Sequence, residues 1–177
     1  MDPLNELILA IEKAGLWESE KTFQRNEFVK VNGQIDLNIY FIVTGCLRIY
    51  IQDESNEHTI RFGYPKNLIA ALDSYLSEAP SDLVVQAIRK TKVKIISKGK
   101  FQALIQSSPV LHLLWQNLLE ALIFQQLERE KDILIQSPAK RYARVLARSP
   151  QLFQEVPNKY IASYLRMTPE TLSRLKR

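Results

Sequence analysis

The most specific chemistry in this sequence is concentrated in its last twenty residues, Asn158–Arg177. Asn158 can cap a helix that carries Ile161, Ala162 and Leu165. After a short turn at Met167, Thr168-Pro169-Glu170 combines three helix-start signals. They are a hydroxyl cap, a proline at the first position, and a carboxylate where the helix dipole favours it. Leu172 and Leu175 give this second helix one apolar face, and Glu170, Ser173, Arg174 and Arg177 lie on the other. Two short helices, a tight turn and a polar, basic outer face make a helix-turn-helix pattern. The chemistry open to such a face is recognition of base edges in a DNA major groove. Arg174 suits the acceptor edge of guanine, and Glu170 suits the cytosine amino group. Lys159, Arg166, Thr168, Lys176 and Arg177 suit phosphates, which position a protein on DNA without specifying sequence. The plainer alternative is a helical hairpin with a basic surface.

The charge distribution points the same way. The 177 residues carry a formal net charge of +5. Residues 137–177 hold nine basic residues against Glu155 and Glu170, while the remainder is slightly acidic. The whole basic excess therefore lies in the last 41 residues, as expected for a polyanion-binding module joined to a near-neutral one.

Catalytic and metal chemistry find little support. The histidines are His58 and His112, far apart in sequence, and Cys46 is the one cysteine. That excludes a cysteine-ligated cluster and a disulfide framework within one chain. No Ser/His/Asp or Cys/His set has credible spacing, and no glycine-rich phosphate loop is present. We expect no catalytic residues, no metal and no cofactor. A cupin-like enzyme with a helical appendage is the enzymatic alternative, and its metal site would need more histidines than these two.

The elements that must position the terminal helices are legible in outline. The start, through Gly15, reads as an acidic amphipathic helix without the features of a secretory signal. No window is long and apolar enough to span a membrane, so a cytoplasmic protein is expected. Between residues 28 and 97 short β-branched and aromatic runs recur: Phe28–Val31, Asn38–Val43, Cys46–Ile51, His58–Gly63, Leu83–Ile88 and Val93–Ser97. Asn32-Gly33 and Thr44-Gly45 read as tight turns between strands. This spacing suggests an antiparallel roll or sandwich, with a helical excursion over 66–81. From residue 100 the chain reads as helix. One long helix runs from Pro109, capped by Ser107 or Ser108, to about Ile135. In Val110–Phe124, 11 of 15 residues are apolar, so this half needs a partner on more than one side. Leu111, Leu114 or Trp115, Leu118, Ala121 or Leu122, and Gln125 fit a short heptad seam with a second copy of the chain. Ser137-Pro138, Ser149-Pro150 and Val156-Pro157 then break the chain into short helices, and the first of these breaks is the expected domain boundary.

The string VPNKYIASYLRMTPETLSRLKR resembles the C-terminal helix-turn-helix of Crp/Fnr-type bacterial transcription regulators, with its Ile-Ala-x-x-Leu and Thr-Pro-Glu-Thr-Leu-Ser-Arg. Tyr40–Arg48 resembles that family's strand–Gly–strand effector hairpin, and the likeness extends over nearly the whole chain. The resemblance implies an α+β fold: an N-terminal antiparallel β-roll of cyclic-nucleotide-binding type over 1–108, a long dimerisation helix over 109–136, and a helix-turn-helix domain over 137–177. It implies a homodimeric transcription regulator whose partners are double-stranded DNA, a second copy, and a small effector or none. Pro169, Glu170, Ser173 and Arg174 match the family's base-facing positions, and Thr168 its helix cap.

One departure bears on the effector. The cyclic-nucleotide binders of this family carry Gly-Glu-Leu and, about ten residues later, Arg-Ser-Ala or Arg-Thr-Ala, which hold ribose and phosphate. Here Ala71 stands where the Glu would be, beside Leu72, and Ser81-Asp82 brings no arginine. Asp82 would repel a phosphate. Arg61 and Arg89 are the nearest alternatives. The expectation is a roll that does not bind cyclic AMP tightly. A β-roll interaction module with a vestigial DNA-binding end is the remaining alternative.

Overall fold

A computed structural model describes residues 3–54 and 56–176 of the chain. The helix α1 (Pro3–Lys13) opens it and buries Leu7, Ile8 and Ile11. Eight strands follow among the described residues: β1 (Ser19–Phe23), β2 (Phe28–Lys30), β3 (Asn38–Thr44), β4 (Leu47–Asp53), β5 (Asn56–Gly63), β6 (Leu68–Ile69), β7 (Val84–Ala87) and β8 (Thr91–Ser97). The expected excursion over 66–81 is a single short helix, α2 (Leu72–Ser77), preceded by β6. The strands form two antiparallel sheets, ordered β1-β8-β3-β6 and β2-β7-β4-β5. Period-two alternation puts Tyr40, Ile42, Val93 and Ile95 of one sheet against Leu47, Ile49, Val85 and Ala87 of the other, which is the roll's core.

Both glycine turns form, with Gly33 at φ 80° and Gly45 at φ 95°. Neither joins strands that pair, because β2 and β4 lie in one sheet and β3 in the other. Gly45 is a corner where the chain changes sheets. A Cβ there would sit 2.4 Å from Thr91 Oγ1 and 2.5 Å from the Lys90 carbonyl. Only glycine combines that close approach with a positive φ.

The second half is helical: α3 (Lys98–Gln106), α4 (Pro109–Leu134), α5 (Pro138–Arg148), α6 (Pro150–Glu155), α7 (Asn158–Tyr164) and α8 (Pro169–Leu175). Ser108 caps α4 and Ser137 caps α5, each before a proline at the first position. Asn158 does not cap α7, since Pro157 occupies that place. Its Oδ1 instead accepts from Lys176 Nζ at 2.5 Å.

The two-sided apolar half of α4 is used asymmetrically. Leu111, Leu114, Trp115 and Leu118 pack with Leu7, Ile11, Phe101 and Ile105 of α1 and α3, and Trp115 meets Phe101 edge-on. This row, favoured above for pairing with a second copy, is therefore satisfied largely within the chain. Val110, Leu113, Ile123, Phe124 and Leu127 remain exposed. No helix of the described residues is long and apolar enough to cross a membrane.

Candidate nucleic-acid interface and effector cavity

The outer face of α8 is exposed. Thr168 Oγ1 accepts the Thr171 N–H at 3.2 Å, and Leu172 anchors the inner face in the core. Pro169, Glu170, Ser173 and Arg174 are all exposed, so the four positions expected to face bases share the solvent side. Glu170 sits at the helix start, where hydrogen bonds from its own backbone N–H and Thr168 hold its carboxyl below the usual range. Lys159, Arg166, Thr168 and Lys176 are exposed around this face. Arg177 lies outside the described residues.

The turn between α7 and α8 is built by a buried arginine. Arg166 adopts φ 50°, a left-handed conformation that costs a non-glycine residue about 1–2 kcal/mol. Arg141 holds the turn from beneath. Its Nε donates to the Leu165 carbonyl at 2.6 Å, its Nη2 to the Arg166 carbonyl at 3.0 Å, and its Nη1 to Ile135. Arg144 and Arg148 are likewise structural. Both donate to Asp132, a fully buried carboxylate on α4, and Arg144 also reaches Glu128 at 3.0 Å. Part of the terminal basic excess thus ties α5 to α4.

The terminal helices are seated on the roll. Val145, Leu152, Val156, Tyr160, Ile161, Leu165 and Leu172 share one apolar cluster with Phe62 of β5 and with Cys46 and Ile88, which flank β4 and β7. Beside it Arg48, 1% exposed, donates to Thr59 Oγ1 at 2.8 Å and pairs with Glu57 at 2.5 Å. Its guanidinium lies between the rings of Tyr50 and Tyr160, 4.2 and 4.5 Å from their centroids. Ser163 Oγ accepts the Thr59 N–H at 3.1 Å and donates to the Glu57 carbonyl at 2.8 Å. The helix α7 is thereby hydrogen-bonded to β5. Arg89 pairs with Glu155 at 3.0 Å, which places it at this seam and not in a pocket.

A cavity of about 530 Å³ lies between the roll and α4. Arg61 and Leu72 line it. Ala71 and Ser81 are buried outside its lining, and Asp82 is exposed. Leu118, Leu122 and Gln125 bring one row of α4 to it, and Arg129 continues that row. Arg129 gave no sequence signal of its own, because it stands in the charged half of the helix.

Residues 20–108 match the family model described as the cyclic nucleotide-binding domain. The chain belongs to this family. Among solved structures, FixK2 from Bradyrhizobium japonicum is 20% identical, with a TM-score of 0.73 over 89% of this chain and 82% of that one. A CooA mutant from Carboxydothermus hydrogenoformans is 17% identical, with a TM-score of 0.72 over 89% and 74%. CLP from Xanthomonas campestris, described as a c-di-GMP-responsive global regulator, is 12% identical, with a TM-score of 0.71 over 95% and 89%. No curated protein matches the chain by sequence. The fold is that of the Crp/Fnr-type regulators: an antiparallel roll, a long helix and a helical C-terminal domain.

In this cyclic nucleotide-binding domain a buried lysine holds the backbone of the stretch where the resemblance would put a phosphate cassette. Lys30, 2% exposed, donates to the Ser81 carbonyl at 2.7 Å and to the Leu83 carbonyl at 2.5 Å. Burial pulls its pKa down, and the nearby Asp73, Asp36 and Asp82 work against that. Asp36 in turn accepts from Tyr40 at 2.8 Å and from Asn38. Ala70, Leu72 and Leu83 of this stretch border the cavity, whereas Ala71, Ser81 and Asp82 lie outside its lining.

Proposed function

We propose that this chain is a homodimeric DNA-binding transcription regulator of Crp/Fnr type, organised as an effector roll over 1–108, a pairing helix over 109–136 and a reading domain over 137–177. The observation that carries the reading is the outer face of α8. Behind a formed Thr168 cap, Pro169, Glu170, Ser173 and Arg174 are all exposed at the end of a Crp/Fnr-type fold. Arg174 and Glu170 read base edges, and Lys159, Arg166, Thr168, Lys176 and Arg177 hold phosphates. Two copies pair through α4. The face left for the second copy is Val110, Leu113, Phe124 and Leu127, since the Leu111–Leu118 row is turned toward the roll. Two-fold pairing presents two reading helices to an inverted repeat with half-sites one DNA turn apart, about 34 Å. The roll takes a small effector other than cyclic AMP, or acts without one, and the protein is not an enzyme.

The test is selection of bound duplexes from a random pool, at low and at physiological salt. Enrichment of an inverted repeat with one-turn spacing is the expected result. Salt-sensitive retention with no enriched motif would leave only phosphate binding, and would favour an interaction module with a vestigial reading helix.

A further inference from the structure

We propose that the cavity between the roll and α4 binds an apolar acid, a ligand with a hydrocarbon body and one anionic group, and that Arg61 and Arg129 receive the anion. Three observations carry this. First, Arg129 is 7% exposed, yet its Nε and Nη1 have no acceptor among the described residues. Its Nη2 alone is engaged, by the Tyr164 carbonyl and more distantly by that of Thr59 at 3.5 Å, while its plane stacks on the Tyr164 ring at 3.8 Å. A buried guanidinium with two unmet donors is costly, and the missing partner is an acceptor. Secondly, Arg61 lines the same cavity from β5, where a bulge at Ile60 interrupts pairing with β4. It makes no ion pair among the described residues, and burial lowers its pKa. Arg148 also lines the cavity but is paired with Asp132, and no Asp or Glu is among the lining residues. The nearest acids on α4, Glu128 and Asp132, are already occupied by Arg144 and Arg148. Thirdly, most of the remaining lining is hydrocarbon, including Ile39, Ile60, Leu68, Trp115, Leu118 and Leu122. An apolar cavity of several hundred Å³ with a few convergent polar groups is a ligand site. Its charge asks for an acid and its wall for an apolar body.

The cavity also touches Ser149, Leu152 and Tyr164 of the terminal helices. An anion on Arg129 therefore acts beside Tyr164, the last residue of α7. If the ligand affinity differs between seated and released terminal helices, DNA affinity shifts by the same factor. This effector role rests on the regulator reading above; binding of the acid does not.

Trp115 lines the cavity, so its fluorescence reports occupancy. The full chain is titrated with decanoate, decyl phosphate and decanol, with calorimetry in parallel. The expected result is one saturable site per chain for at least one acid, with decanol weaker by about tenfold or more. Whichever acid binds more tightly identifies the anion as carboxylate or phosphate ester. Arg61→Gln is expected to weaken the acid by about tenfold while leaving decanol unchanged. Arg129→Gln is expected to do the same, and because Arg129 also holds Tyr164, Arg61→Gln is the deciding variant. Equal binding of acid and alcohol, no saturable acid binding, or an unchanged Arg61→Gln would overturn the proposal. Titration of the selected duplex with and without the acid then tests the effector role, which a constant DNA affinity would overturn. Failure to bind any specific duplex would instead refute the regulator reading and leave the acid titration standing.

Discussion

Gly45, Cys46, Thr91 and Arg166 show how much of this fold turns on single side chains. Thr91 Oγ1 receives the Cys46 N–H at 3.0 Å directly beneath the Gly45 corner, so the corner has no room to move. Gly45→Ala meets both a forbidden φ and a backbone clash. Its expected cost is about 3 kcal/mol, measured by denaturant unfolding. Cys46 is fully buried, and burial pushes its thiol up to about 12. At pH 8 it is a protonated thiol without solvent access. Iodoacetamide should label it only when the protein is unfolded, and rapid labelling of the native chain would contradict that packing. The Thr168 cap and its proline were readable from sequence because capping is local chemistry. Arg129 and Arg48 were not, because a lone arginine in a polar stretch has no signature until the fold buries it. The same holds for Arg141, Arg144 and Arg148: counted as surface charge in the sequence, they are partly spent inside the molecule.

At the scale of elements, β3, β4, β5, β7 and β8 were legible from their apolar runs, and the proline-headed helices from their caps. The strand β1 was not, since Ser19–Phe23 is polar and exposed except at Phe23, and only its pairing with β8 makes it a strand. Turn residues at Gly33 and Gly45 marked reversals but carried no information on which sheet each strand joins. The helix α4 shows the same limit. Its sequence said that two faces need partners, and periodicity could not say which one meets the roll. With Leu111, Leu114, Trp115 and Leu118 turned inward, the face left for the proposed pairing is the outer row. Phe124→Glu and Leu127→Glu together should convert a dimer of twice the chain mass into a monomer in light scattering. The same pair of substitutions should leave the melting of the isolated chain nearly unchanged, because both side chains are more than half or half exposed in it, at 62% and 50%. A variant that stays dimeric would move the interface elsewhere.

For the whole molecule, the resemblance divides the chain into roll, helix and reading domain, whereas the packing runs across those divisions. Cys46, Phe62 and Ile88 share a core with the helices after residue 137, and Asp132 ties α4 to α5. We therefore expect a single cooperative unfolding transition, with far-ultraviolet dichroism and tryptophan fluorescence coincident. Two separated transitions would show the terminal helices to be only loosely attached. Asp132→Ala removes the carboxylate shared by Arg144 and Arg148, and its expected cost is about 2 kcal/mol in the same experiment. Ser163 holds α7 to the roll, and Arg129 holds it to α4. In the proposed regulator these contacts are the route by which occupancy of the cavity would reorient α8.

The most direct measurement is the affinity of Arg174→Ala for the duplex selected by the unaltered chain, read by fluorescence anisotropy at physiological salt. Arg174 is exposed on α8, and among the described residues its side chain hydrogen-bonds only Thr171, at 3.5 Å. Its loss should therefore leave the fold intact. The account predicts a penalty of about 1–3 kcal/mol on the selected sequence, with discrimination relaxed at the base pair that Arg174 reads and non-specific affinity almost unchanged. Equal affinity and equal specificity in the variant would contradict the claim that α8 reads DNA.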